Sequence, residues 1–124
     1  MKIKIFQYAG FTLIEIMIVV AVIGLLASIA IPNLAKARGT SQLNAILSNI
    51  RILEGAKDYW ALENKKGTGD TPGATDLQPY VKNTVLPMPV VGETYNINPV
   101  GMMADAKTPV KLGTYPANST ITMP

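Results

Sequence analysis

The run GFTLIEIMIVVAVIGLLASIAIP, residues 10–32, decides the architecture. Between Phe11 and Ile31 it holds 21 residues and a single charge, Glu15. At about 1.5 Å rise per residue such a run makes a helix roughly 30 Å long, the hydrocarbon thickness of a bilayer. A plain anchor needs no carboxylate, and an acidic side chain at depth costs about 2.5–3.5 kcal/mol on insertion scales, so Glu15 asks for a partner. A secretory signal peptide, with Ser28-Ile29-Ala30 as the small-x-small cleavage pattern and Pro32 after it, is the competing reading. The same carboxylate argues against it. Gly24 and Ser28, small residues four apart, would let a second helix approach closely but equally line an ordinary one.

Outward from this run, Met1 to Gly10 form a short head whose charges are Lys2 and Lys4, made apolar by Ile3, Ile5, Phe6 and Tyr8. On the other side, from Lys36, Leu43, Ile46, Ile50, Leu53, Ala56 and Trp60 recur at three- and four-residue spacings, with Leu47 and Tyr59 beside them. That spacing predicts an amphipathic helix to about Glu63, with Tyr59 and Trp60 in the core. The opposite face carries Asn44, Ser48, Asn49, Arg51, Glu54 and Asp58, and Arg51 with Glu54 makes an i,i+3 pair of opposite sign. Only Pro32 and Gly39 interrupt the stretch from Phe11 to Glu63, so one long helix is expected, bent at Pro32. Proline there removes a donor and crowds the carbonyl four residues back, at a cost of about 3 kcal/mol in an ideal interior.

Lys65-Lys66-Gly67-Thr68-Gly69-Asp70-Thr71-Pro72-Gly73 ends the helix, and every proline but Pro32 lies from Pro72 onward. Thr75 and Asp76 are placed to cap a short turn through Leu77 to Val81. Tyr95 to Asn98 alternates as a half-buried strand does, and Val110 to Tyr115 and Ser119 to Met123 fit two more, joined by Pro116-Ala117-Asn118. So small a sheet is marginal alone and needs the helix to cover one face.

Composition narrows the function. The 124 residues leave room for one small domain beyond the apolar run. Without Lys2 and Lys4 the 11 basic residues become 9 against 8 acidic, a net +1 with no basic run beyond Lys65 and Lys66, so no nucleic acid partner is expected. Cysteine and histidine are both absent, which removes disulfides, thiolate metal sites and the commonest general base. No nucleophile–base pair is identifiable, so the chain is not read as an enzyme.

The combination of Gly10 before Phe11, Thr12, Leu13, Glu15 at the fifth position after that junction, and Pro32 closely resembles type IV prepilins and the pseudopilins of type II secretion. The resemblance covers about a quarter of the chain. It implies an α+β fold with a long kinked N-terminal helix on a small antiparallel sheet. Residues 1–10 would be a leader, 11–32 a membrane-spanning and filament-core helix, 33–64 its amphipathic half, and 65–124 a loop-rich head. It further implies that a prepilin peptidase cuts between Gly10 and Phe11 and that the Phe11 amine is then methylated. Glu15, with Thr12, would register an incoming subunit at an inner-membrane assembly platform. The implied location is the bacterial inner membrane, N-terminus cytoplasmic and head periplasmic, and then a filament of one or several pilins.

The residues supply Glu15 with a reason of their own. A carboxylate in hydrocarbon persists when paired with a cation or strong donor, and the amine freed at Phe11, on the same or an adjacent subunit, is the nearest candidate. A protonated Glu15, or one neutralised within its own chain, is the alternative. Asp70, Asp76, Glu93 and Asp105 read as solvated loop charges. The resemblance offers calcium as another use of Asp76, Glu93 and Asp105, while the sparse acids and the absence of cysteine depart from common C-terminal loops of the family. A rival reading of the whole chain is a single-pass anchored binding module that forms no filament.

Overall fold

The computed structural model describes residues 1–4 and 9–124 and divides them into two compact units, Met1–Ala35 and Lys36–Pro124. Of the apolar leader residues, Ile5, Phe6 and Tyr8 lie outside the described residues. The architecture is α+β: helix α1 (Leu13–Glu63), a short helix α2 (Ala74–Leu77), two 3-10 turns at Gln78–Tyr80 and Lys82–Thr84, and strands β1 (Thr94–Asn96), β2 (Asp105–Lys107) and β3 (Thr120–Thr122). The helical assignment runs uninterrupted through Pro32 and Gly39.

In the second unit the predicted stripe is the core. Ile46, Ile50 and Leu53 pack with Ala104, Ala106, Leu112 and Ile121, and Leu43 lies partly buried against them. One turn on, Ala56, Trp60 and Ala61 pack with Leu77 and Val81. Tyr59 departs from the expected core position: it is 66% exposed, because Trp60 already takes the inward position and its neighbour lies about 100° further round the helix. The Arg51–Glu54 pair is likewise replaced, since Glu54 turns to Lys57 at 2.9 Å.

The three strands form one antiparallel sheet in the order β1-β2-β3. Tyr95, Ala106 and Ile121 sit side by side in register, the most buried residue of each strand, and make one row against α1. One strand expectation fails, and one strand lies where none was expected. Val110 to Tyr115 is not a strand but a tight turn, closed by Leu112 N–H to the Tyr115 carbonyl and Tyr115 N–H to the Leu112 carbonyl, both 2.9 Å, with Gly113 at φ +56°. The central strand is instead Asp105–Lys107, whose single buried residue, an alanine between two charges, carries no alternation of large apolar groups. At Tyr95 and at Ile121 the expected strands form, shortened to three residues.

The C-terminus of α1 closes as a Schellman motif. Lys66 N–H bonds to the Ala61 carbonyl at 2.8 Å and Lys65 N–H to that of Leu62 at 3.5 Å, with Lys65 at φ +52° where glycine is usual. The next segment is tied to residues 97–104 through Gly69 N–H to the Val100 carbonyl (2.9 Å) and Val100 N–H to that of Asp70 (2.8 Å). Gly101, at φ +92°, lies so close to Thr68 that a β-carbon there would fall 2.7 Å from Thr68 Cγ2.

Candidate functional site

In the first unit, Gly10 and Phe11 stand exposed and outside any helix, two residues ahead of the first helical turn. Phe11 is 84% exposed, and no atom would meet a β-carbon on Gly10 within 4 Å. A peptide bond in this setting enters a protease cleft without unwinding helix, since no intrahelical hydrogen bond holds it.

Thr12 is the N-cap of α1 and Glu15 its third residue, the spacing of a capping box. Glu15 Oε2 accepts from Thr12 N–H at 2.8 Å and from Thr12 Oγ1 at 3.0 Å, and Glu15 N–H donates back to Thr12 Oγ1 at 3.3 Å. Donors that α1 cannot satisfy internally thus find acceptors, and the carboxylate lies where the helix dipole favours negative charge. Glu15 Oε1 has no hydrogen-bond partner among the described residues. The Thr12-x-x-Glu15 spacing of a capping box is legible in the sequence itself.

From Leu13 to Leu34 the large apolar side chains are exposed on every side, Glu15 being the one acid of the run. The helix is long and apolar enough to cross a membrane, and its most apolar window has none of its residues buried. Ser28 Oγ turns back to the Leu25 carbonyl at 2.7 Å. Because Pro32 has no N–H, the Ser28 carbonyl lacks its usual donor. A β-carbon on Gly24 would meet nothing within 4 Å.

In the head, the three acids weighed for calcium fall at separate places. Asp76 Oδ2 accepts Gly73 N–H at 2.8 Å at the start of α2. Asp105 accepts from Asn96 Nδ2 (2.6 Å) and Asn98 Nδ2 (3.0 Å). Glu93, only 2% exposed, accepts from Val90 N–H (2.9 Å), Val91 N–H (2.8 Å) and the Tyr95 hydroxyl, to which Asn49 Nδ2 also donates at 2.8 Å. Burial alone would raise the Glu93 pKa, yet the Tyr95 hydroxyl and the nearby backbone N–H groups outweigh it and leave the carboxyl below its ordinary value. Burial, and then the hydrogen bond to Glu93, push the Tyr95 phenol up. No group of three such side chains that could hold a metal ion occurs among the described residues.

The head's principal buried charge is Lys57, unforeseen from sequence. Fully buried, it donates to the carbonyls of Ile97 (3.3 Å), Pro99 (3.4 Å) and Met102 and pairs with Glu54. Glu54 Oε2 in turn accepts Ala104 N–H at 2.8 Å. The signal was a lysine inside the apolar stripe, between Leu53 and Trp60.

The family described as the prokaryotic N-terminal methylation motif matches residues 6–31. The chain is 36% identical over 84 residues to the type II secretion system core protein G of Pectobacterium carotovorum subsp. carotovorum, covering 68% of this chain and 53% of that protein. It is 34% identical over 80 residues to the core protein G of Klebsiella pneumoniae, 60% of this chain and 57% of the relative. With the type IV major pilin protein PilA of Myxococcus xanthus it shares 52% identity over 57 residues, 46% of this chain and 26% of the pilin. The chain thus spans little more than half the length of the first two curated relatives. No solved structure matches.

Proposed function

We propose that this member of the type IV pilin and type II secretion pseudopilin family is a structural subunit, held in the inner membrane by α1, cut between Gly10 and Phe11, and packed through α1 into a filament. The observation that carries the proposal is the Thr12–Glu15 capping box, set two residues beyond an exposed, non-helical Gly10–Phe11 bond and at the head of a helix whose first half is largely apolar. In the precursor, Thr12 supplies two donors to one oxygen of Glu15, so the carboxylate enters the membrane partly satisfied. Cleavage leaves both donors in place and frees the Phe11 amine. The second oxygen then accepts the methylated amine of an adjacent copy as a charge-assisted hydrogen bond, which sets register between neighbours. The role is assembly by a membrane platform, not catalysis. Type II secretion is favoured over a pilus because the shared stretch is longer, 84 residues against 57, and a 57-residue match need reach little beyond a helix of 51.

Mass spectrometry of the protein from cells carrying the processing peptidase tests the first step. A mature chain beginning at methylated Phe11 is expected; an intact leader would instead leave a single-pass anchored module. Glu15→Ala is expected to insert and be processed normally yet yield few or no filaments by electron microscopy, and abundant filaments from that variant would end the register role.

A further inference from the structure

Four oxygen atoms from separate parts of the head converge on one point inside it. Three are main-chain carbonyls between β1 and β2, those of Ile97, Pro99 and Met102, and the fourth is Glu54 Oε2 on α1. The Lys57 ammonium occupies the point. Carbonyls along a regular strand alternate in direction and share no focus. Here two left-handed residues turn the chain, Asn98 at φ +55° and Gly101 at φ +92°. Both turns are fastened, since Asn98 Nδ2 donates to the Met103 carbonyl at 2.7 Å and Met102 N–H to that of Pro99 at 2.9 Å.

Such a focus is unfavourable by itself. The negative ends of three peptide dipoles and a carboxylate face one another, and Lys57 between them is fully buried. A positive charge with donors on several sides offsets that cost. The oxygens of Glu54, Ile97 and Pro99 lie 2.9, 3.3 and 3.4 Å from Nζ. Calcium takes six to eight oxygens at about 2.3–2.6 Å, so this set is too wide and too small for it. An ammonium instead brings three N–H donors to the four acceptors, where a hydroxyl would bring one.

We infer that the segment 97–104 and Glu54 form a cation cradle for a primary alkylammonium, which the chain keeps filled with its own Lys57. The segment between β1 and β2 is thus closed by a charge tethered to α1, which cannot diffuse away as a free ion can. This inference stands apart from the filament reading and is tested on the full chain in detergent.

Lys57→Ala removes three methylenes and the ammonium, which together are the atoms of n-propylammonium. The melting midpoint of the variant, followed through Trp60, should rise saturably with n-propylammonium chloride, by about 5 °C or more at ten times the dissociation constant. n-Propanol and choline chloride at the same concentrations should give no such rise, the first lacking charge and the second N–H donors. No saturable rise in the folded variant, or an equal rise with propanol or choline, would overturn the inference. Should Lys57→Ala not fold, Lys57→Cys decides the matter, because the chain has no other cysteine and the unfolded protein is alkylated at that position alone. 2-Bromoethylamine rebuilds a side chain of the original length ending in an ammonium, and 2-bromoethanol one of equal length ending in a hydroxyl. After refolding, the aminoethyl form should melt within about 3 °C of the unmodified chain and the hydroxyethyl form roughly 10 °C or more below it. Equal midpoints for the two forms would show that the cradle needs no cation and would overturn the inference.

Discussion

Replacing Lys57 by methionine keeps most of the length of the side chain and removes its charge. Glu54 is then left with one donor, Ala104 N–H, and the carbonyls of Ile97, Pro99 and Met102 lose theirs. Removing one partner of a buried ion pair costs about 3–5 kcal/mol, and the lower end applies because the Glu54 side chain keeps 20% of its exposure and regains water. The second unit spans residues 36–124, 89 in all. At about 0.05–0.15 kcal/mol per residue its total stability is on the order of 4–13 kcal/mol, so one side chain takes a large share. With about 4–8 °C of melting temperature per kcal/mol for a domain of this size, Lys57→Met should lower the midpoint by roughly 12 °C or more. Trp60, the one tryptophan, lies one turn along α1 and reports the transition by near-ultraviolet dichroism or fluorescence in detergent. The double variant Glu54→Met, Lys57→Met should recover part of the loss, because no unpaired charge remains. A shift under about 4 °C for Lys57→Met would show that the ammonium does not hold residues 97–104 to the helix.

Three further outcomes follow from particular residues. Lys65→Gly removes the strain of a side chain at φ +52° in the Schellman closure and should stabilise the head by about 1 kcal/mol, read as a rise in melting midpoint; a fall would mean that the lysine side chain contributes more than its backbone costs. Thr12→Val deletes the hydroxyl that both donates to and accepts from Glu15, and should cost the first turn about 0.5–2 kcal/mol, seen as faster amide exchange at Glu15 in micelles with protection at Ile50 unchanged. The third concerns pH. The folded-state pKa of Glu93 lies below the ordinary 4.5, so its contribution is present above that value and lost as pH falls through the folded pKa. That of Tyr95 lies above the ordinary 10.0, so its contribution is present below 10.0 and lost as pH rises beyond it. Glu93→Gln should flatten the acid limb of a melting-temperature profile, and an unchanged limb would assign it to other carboxylates.

What could be read in advance divides along physical lines. The long helix and its core stripe were legible because 3.6-residue periodicity over several turns is redundant: Ile46, Ile50, Leu53 and Trp60 all repeat one message. The sheet was only half legible. A three-residue strand offers one inward side chain, and where that side chain is Ala106 no pattern survives. Val110 to Tyr115 misled for the opposite cause, since alternation there belongs to a turn in which Leu112 points inward and Gly113 reverses the chain. Tyr59 misled because exposure is set by a rotation of one residue, and an aromatic beside a buried tryptophan looks the same on either side of that boundary.

At the N-terminus, sequence pointed to Glu15 and to an amine as its partner. A lone carboxylate among apolar side chains demands a donor, and the freed amine of Phe11 is the obvious cation. The first donors in the structure are nonetheless uncharged: the backbone N–H and the hydroxyl of Thr12. That difference has a consequence for assembly. If Glu15 were satisfied only by a neighbour's amine, a subunit alone in the membrane would carry an unpaired charge and tend to protonate. With Thr12 holding one oxygen, the carboxylate is already ordered and its other oxygen is open. Under the proposed function, register between copies would add a donor to an ordered carboxylate, not first organise a disordered one, which would lower the entropic cost of the contact.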